Sequence, residues 1–255
     1  MTNQILNIRH GSVLEARLNR PEKKNALTGA MYDAISEILE QASSSNSIRA
    51  VLLTAEGSTF TAGNDLAEFL SLSGDFAVSP QGRFVRAITG ATKPIVAAVH
   101  GMAVGIGTTM LLHCDLVYGT PDVKLSTPFV DMGLVPEAGS TLLYPTYIGL
   151  QRASALLLLG ETLDAEAAIA AGLVNAIVPA DELHAHALER AQALASKAPE
   201  AFAVARRLMR GDKTQLDAHM ANESEAFGRA VRGPEAREAF TAFFEKRKPV
   251  WPVAL

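Results

Sequence analysis

The sequence predicts an α/β core followed by an all-helical region, and three observations carry that expectation. Short apolar runs of strand length recur at residues 5–8, 13–18, 51–54, 95–99, 116–118 and 174–178. Amphipathic segments of helix length separate several of them, the alternation from which α/β folds are built. Beyond Pro179 the strand signal ends and only helical stretches remain.

In chain order, the first two apolar runs read as strands. Residues 28–41 then place Met31, Ile35, Ile38 and Leu39 at helical spacing, with Thr28 as the N-cap. Residues 43–47 form a serine-rich turn before the third strand, and residues 71–80 read as a mobile loop. The tail divides into helices at 181–197, 201–209, 216–231 and 235–246, punctuated by Pro199, Gly211 and the Gly233-Pro234 pair. A core domain over 1–195 and a helical region over 196–255 is the division this implies. No repeat of solenoid period and no long low-complexity segment interrupts it.

Composition narrows the function classes. The 255 residues are 48% hydrophobic and 20% charged with a formal net charge of -4, so there is no electrostatic footprint for nucleic acid. A single cysteine, Cys114, excludes an internal disulfide, disfavours a thiolate metal site and suits a reducing compartment. The opening MTNQILNIRH lacks a secretory signal, and no run of 18 apolar residues occurs. The expectation is a cytoplasmic protein without a membrane partner.

Two glycine-containing turns stand out, each expected to follow a strand and open a helix: Phe60-Thr61-Ala62-Gly63-Asn64-Asp65-Leu66 and Gly101-Met102-Ala103-Val104-Gly105-Ile106-Gly107. Turns of this kind aim free backbone N–H groups at one point, where they can stabilise developing negative charge. Either alone is more simply read as a tight turn packed against a sheet. The second lacks the G-x-G-x-x-G spacing of a dinucleotide site, and Walker A and G-x-S-x-G patterns are absent.

Three segments then resemble the crotonase superfamily of enoyl-CoA hydratases and isomerases: residues 18–27 (LNRPEKKNAL), residues 60–66 and residues 93–101 (KPIVAAVHG). The resemblance continues through Cys114-Asp115-Leu116 and Ala171-Gly172-Leu173-Val174 and covers nearly the whole chain. It implies a spiral of ββα units, a C-terminal helical region that builds homotrimers or dimers of trimers, and an acyl-CoA thioester polarised by two N–H groups. The donors it implies are Ala62, before the glycine of the first turn, and Ile106 in the second. No metal or redox cofactor is implied, coenzyme A being part of the substrate.

Hydratases of this superfamily resemble one another in carrying two glutamates, and at those positions this chain has Thr109 and Phe129, neither of which works as an acid or base near neutral pH. One carboxylate remains, Glu137, in a segment that resembles peroxisomal-type delta3,delta2-enoyl-CoA isomerases. The resemblance implies one base moving a proton from C2 to C4 while Ala62 and Ile106 hold the enolate. Phe69, Phe129 and Leu134 are candidate apolar walls that would raise the base's pKa. Lys24, Ala26, Gly63, Asn64, Asp65, Leu66, Gly105 and Pro136 complete the substrate-binding set. The bland alternative for Glu137 is a carboxylate in the first turn of a helix, favoured by the helix dipole.

Asp131 reads as solvated or structural, Asp65 as a helix cap and Glu68 as surface. Lys23, Lys246, Arg247 and Lys248 are further candidates for CoA phosphates. His184 and His186, two apart on a helix, face different directions, while His10, His113 and His219 look isolated and His100 structural. Two rivals stay open: hydration or other enolate chemistry with an acid such as Asp131, and a silent acyl-CoA binder.

Overall fold

The computed structural model describes residues 3–69 and 76–251. Eight strands are present among them: β1 (Ile5–His10), β2 (Val13–Leu18), β3 (Ala50–Ala55), β4 (Ile95–Val99), β5 (Met102–Val104), β6 (Leu116–Gly119), β7 (Lys124–Ser126) and β8 (Ala176–Ile177). Six form one sheet in the order β1-β2-β3-β4-β6-β8, and β5 pairs with β7 in a second. Only β1 and β2 run antiparallel, turning at Gly11, which takes a left-handed φ of 64°. All other pairings are parallel, so each needs a crossover connection.

The sheet is apolar on both faces because helices cover both. Leu14, Ala16, Val51, Leu53, Ala97 and Val99 pack against Met31, Ile35 and Leu39 of the Gly29–Ser44 helix. Thr28 caps that helix, its hydroxyl accepting from the Met31 N–H. Val13, Ala50, Leu52, Val96 and Ala98 pack on the opposite side against Leu183, Ala187 and Ala191 of the Leu183–Ala195 helix. Small alanines at that contact let the helix lie close to the strands. Burying each larger aliphatic side chain contributes roughly 1.5–3 kcal/mol.

Three features differ from the sequence reading. The second sheet was not anticipated, since β5 and β7 are each three residues long and too short to show a period. Part of the expected loop at 71–80 is regular: Phe76–Val78 is a 3-10 turn, and Ser79 caps a helix over Pro80–Thr89 that buries Phe84, Val85 and Ile88. The rest of that expected loop, 71–75, lies outside the described residues. The segment expected as a strand at 174–178 pairs over only Ala176–Ile177.

The tail is helical at Pro199–Arg210, Lys213–Val231 and Pro234–Phe244. The last two helices close over the core where two glycines allow it. A Cβ on Gly133 would lie 2.6 Å from the Ala236 nitrogen, and one on Gly139 2.6 Å from Leu216 Cδ1. No helix among the described residues is long and apolar enough to cross a membrane.

Candidate active site

The first turn is built on a clasp. Lys24 and Asn25 both have left-handed backbones (φ 51° and 52°), and the buried Asn25 carboxamide donates to the Glu56 and Thr59 carbonyls at 2.8 Å each while accepting from the Arg20 N–H at 2.8 Å. Asparagine is among the few non-glycine residues that take this conformation readily. The clasp lets Thr61 Oγ1 donate to the Asn25 carbonyl at 2.6 Å and accept from the Gly63 N–H at 3.0 Å. Gly63 must be glycine, since its φ is 87° and a Cβ would lie 2.8 Å from the Val104 carbonyl oxygen.

The Ala62 N–H is not free, contrary to the expectation from the resemblance: it donates to the Lys24 carbonyl at 2.9 Å. The left-handed Lys24 presents its carbonyl to this turn and engages the group. In that turn the Asn64 N–H has no acceptor among the described residues, and neither has that of Leu66 at the first position of the next helix. The Asn64 carboxamide oxygen accepts from the Tyr32 hydroxyl at 2.6 Å, which fixes the side chain.

The second turn lies directly against the first and contains β5 rather than simply following a strand. Thr61 donates to the Met102 carbonyl at 3.0 Å, and Val104 donates to the Thr61 carbonyl at 3.1 Å. Gly105 (φ 58°, ψ -119°) ends β5 and caps the short Ile106–Thr109 helix. At its first position the Ile106 N–H has no intrahelical acceptor. A Cβ on Gly107 would meet Thr61 Cγ2 at 2.3 Å, so the two turns interlock.

Glu137 meets the short helix at Thr109, three residues after Ile106. Its carboxylate, on a residue 5% exposed, accepts from the Thr109 hydroxyl at 2.6 Å. Burial pushes its pKa up to about 8; the Thr109 hydrogen bond opposes the rise and the charge of Glu223 adds to it. Burial likewise raises the Tyr32 and Tyr144 phenols, helped by the charge on Glu137. The first-turn alternative for Glu137 does not hold. The helix begins at Ser140 with Gly139 as N-cap, and Glu137 precedes it.

The next two residues, Ala138 and Gly139, both have positive φ, 60° and 73°. A left-handed alanine is strained, and it persists only where its surroundings hold it. Below, His113 meets the Ala138 carbonyl at 2.8 Å through Nε2, which this partner makes the protonated nitrogen. Burial holds His113 neutral, with a pKa near 4. His113 is thus not isolated.

Phe69, Phe129 and Leu134 join one apolar cluster with Phe76, Phe227 and Phe240, and Leu66 packs against it. Phe129 Cζ is 4.0 Å from a Cβ position on Gly105, so Phe129 flanks the second turn. Pro136 is buried beside Glu137. Asp65 caps the Leu66–Phe69 helix through the Ala67 N–H at 3.1 Å and pairs with Arg20 at 2.7 Å. Burial opposes its charge, but Arg20 and the cap hold its pKa below the usual carboxylate range. The Ala26 carbonyl accepts from the same guanidinium at 2.9 Å. Lys23 and Lys24 are exposed, whereas Arg247 is paired with Glu238 at 2.6 Å. Asp131 is exposed.

On the opposite face of the sheet His10 is not isolated either, and it shares a partner with His184. Both approach the fully buried Glu15, at 2.6 and 3.2 Å, and Arg17 Nε donates to it at 2.7 Å. Burial works against its charge, yet Arg17, Thr54 and the two histidines hold its pKa down near 2.

Sequence reasoning missed Asn25, Tyr32, His113 and Glu223. Asn25 sat inside a quoted motif, so its position was available and only its conformation was not. Glu223 carried no local signal, being 84 residues from the Gly139 N–H that it accepts.

Comparison with known proteins agrees with this fold. The family described as Enoyl-CoA hydratase/isomerase matches residues 9–253. A probable enoyl-CoA hydratase of Bacillus subtilis (strain 168) is 32% identical over 88% of this chain and 90% of its own length. The peroxisomal enoyl-CoA delta isomerase 3 of Mus musculus is 31% identical over 97% of this chain and 80% of its own. The crystal structure of an enoyl-CoA hydratase/isomerase from Pseudoalteromonas atlantica T6c superposes with a TM-score of 0.93 at 43% identity, covering 98% of this chain and 100% of that one. On the matched span and on the spiral α/β core that carries the two interlocked turns, the chain belongs to the enoyl-CoA hydratase/isomerase family of the crotonase superfamily.

Proposed function

We propose that the protein isomerises 3-enoyl-CoA thioesters to 2-enoyl-CoA thioesters, with Glu137 as the only base. The observation that carries this reading is the buried carboxylate of Glu137, raised to about 8 and held by a threonine hydroxyl where a hydratase has its first glutamate. At the second hydratase position Phe129 is buried in an apolar cluster, so nothing there would activate a water molecule.

The proposed steps balance without a redox partner. Glu137 takes a proton from C2, and the electron pair moves through C1 onto the thioester oxygen. The N–H groups of Ile106 and Asn64, rather than Ala62, would receive that oxyanion. The protonated Glu137 then returns the proton at C4, and the double bond settles between C2 and C3. A base pKa near neutrality suits both halves of the cycle.

The exposed Lys24 beside the first turn would meet the CoA phosphates. Apolar side chains left open on the C-terminal helices, among them Leu208, Met209, Phe243 and Phe244, would be covered in a homotrimer or dimer of trimers.

The test is spectroscopic, using 3-hexenoyl-CoA and the absorbance of the conjugated product. Wild type should turn over, and Glu137→Gln should lose about 100- to 10,000-fold in kcat. An active Glu137→Gln would sink the mechanism. Loss of absorbance from crotonyl-CoA would favour hydration, and CoA binding without turnover of either substrate would favour a silent binder.

A further inference from the structure

We propose that Glu223 is a positioning residue for Glu137, clamping from the C-terminal Lys213–Val231 helix the strained turn on which the base is mounted. This deepens the isomerase reading and rests on Glu137 being the base.

The geometry is specific. Glu223 is 5% exposed, and its two oxygens take separate donors of the same turn. Oε2 accepts from the Gly139 N–H at 2.6 Å, and Oε1 accepts from the Thr141 N–H at 2.9 Å and from the Thr141 hydroxyl. His219, one turn earlier on the same helix, approaches that hydroxyl oxygen at 2.7 Å and completes a chain from His219 through Thr141 to Glu223. Two consecutive left-handed residues stand between the base and the clamp, and left-handed alanine does not hold itself. His113 pins the turn from the core at the Ala138 carbonyl, and Glu223 pins it from the tail at the Gly139 N–H. Hydrogen bonds to an ionised acceptor are shorter and stronger than neutral ones, which suits a clamp.

Glu223 also brings a second negative charge near Glu137. The groups that face Glu137 are Thr109 from the Ile106–Thr109 helix, Tyr32 from the Gly29–Ser44 helix, Tyr144 from the Ser140–Ile148 helix, and Glu223. His113 acts on it through the backbone, and His219 reaches only Thr141 and Glu223. Removing the charge of Glu223 therefore leaves Glu137 with a lower pKa, an effect that a purely structural brace would not have.

The experiment compares wild type, Glu223→Gln and Glu223→Ala. Titration of the Glu137 carboxyl is followed by carbon-13 NMR, with Glu137→Gln for assignment, and amide exchange is read at Gly139 and Thr141. Both Glu223 variants should move the Glu137 titration to lower pH and speed exchange at these two amides by at least ~10-fold. In the isomerase assay kcat should fall by ~10- to ~100-fold in Glu223→Ala, less in Glu223→Gln, with KM changed by less than about 3-fold. A Glu137 titration and exchange rates identical to wild type in Glu223→Gln would overturn the proposal. If wild type does not isomerise 3-hexenoyl-CoA, the reading of the base fails, while titration and exchange still decide the clamp. Should Glu223→Ala not fold, Glu223→Gln alone answers, since it keeps an acceptor and loses the charge.

Discussion

Replacing Thr109 by valine keeps the shape of a fully buried side chain and deletes the one hydroxyl that donates to Glu137 among the described residues. The bond favours the ionised carboxylate, so its loss raises the pKa further. A hydrogen bond to a charged group is worth about 1.5–3 kcal/mol, and about 1.4 kcal/mol moves a pKa by one. Starting from about 8, Thr109→Val should titrate at about 9–10 on that arithmetic. At pH 7 roughly one molecule in ten carries an ionised base in wild type, against about one in 100 to one in 1,000 in the variant. The expected fall in kcat/KM at pH 7 is therefore about 10- to 100-fold, recovering as pH rises past the new pKa. The assay is the pH profile of 3-hexenoyl-CoA isomerisation, with Thr109→Ser as the control that restores the hydroxyl. An acid limb that stays in place, or moves to lower pH, would refute the reasoning.

Three other outcomes follow from the same geometry. Because the folded pKa of Glu137 is raised from 4.5 to about 8, its contribution to stability is complete below pH 4.5 and is lost as pH rises through 8. Denaturant titrations should show Glu137→Gln gaining up to about 5 kcal/mol on wild type above that pH, and equal slopes for the two proteins would count against it. Glu15 is the opposite case: its pKa is lowered to about 2, so its contribution is present above 4.5 and lost as pH falls toward 2, about 3 kcal/mol in all. Glu15→Ala should cost about 3–5 kcal/mol at neutral pH in chemical denaturation by leaving Arg17 without its buried partner, and a change under 1 kcal/mol would show the network to be dispensable. Gly63→Ala should destabilise by about 1–3 kcal/mol and lower kcat, since a Cβ 2.8 Å from the Val104 oxygen must separate the two turns. Unchanged melting and activity would mean that the turns are not held in register there.

The pattern of apolar runs determined most of the main sheet, because strands buried on both faces are written as continuous hydrophobic stretches. β2 and β4 occupy the 13–18 and 95–99 runs themselves. The helical tail was legible from Pro199, Gly211 and Pro234, each of which terminates or starts a helix through its own backbone. Glu137 was legible because its neighbours form a motif, and Phe69, Phe129 and Leu134 because apolar residues close to glycine turns have few places to go.

What the sequence could not decide is which hydrogen bonds the turns make. Ala62 and Asn64 are two residues apart, and only the left-handed backbone of Lys24, whose carbonyl takes the Ala62 N–H at 2.9 Å, separates an engaged donor from one with no acceptor. Thr109 read as a lost glutamate, and only the folded chain turns its hydroxyl toward the base. His113 and His219 looked solitary because their partners, the Ala138 carbonyl and the Thr141 hydroxyl, lie 25 and 78 residues away. Local pattern specifies elements, since strand and helix periods are properties of neighbouring residues. Donors and acceptors meet across the fold, so the composition of the site was set by the sequence while its electrostatics were decided by tertiary packing.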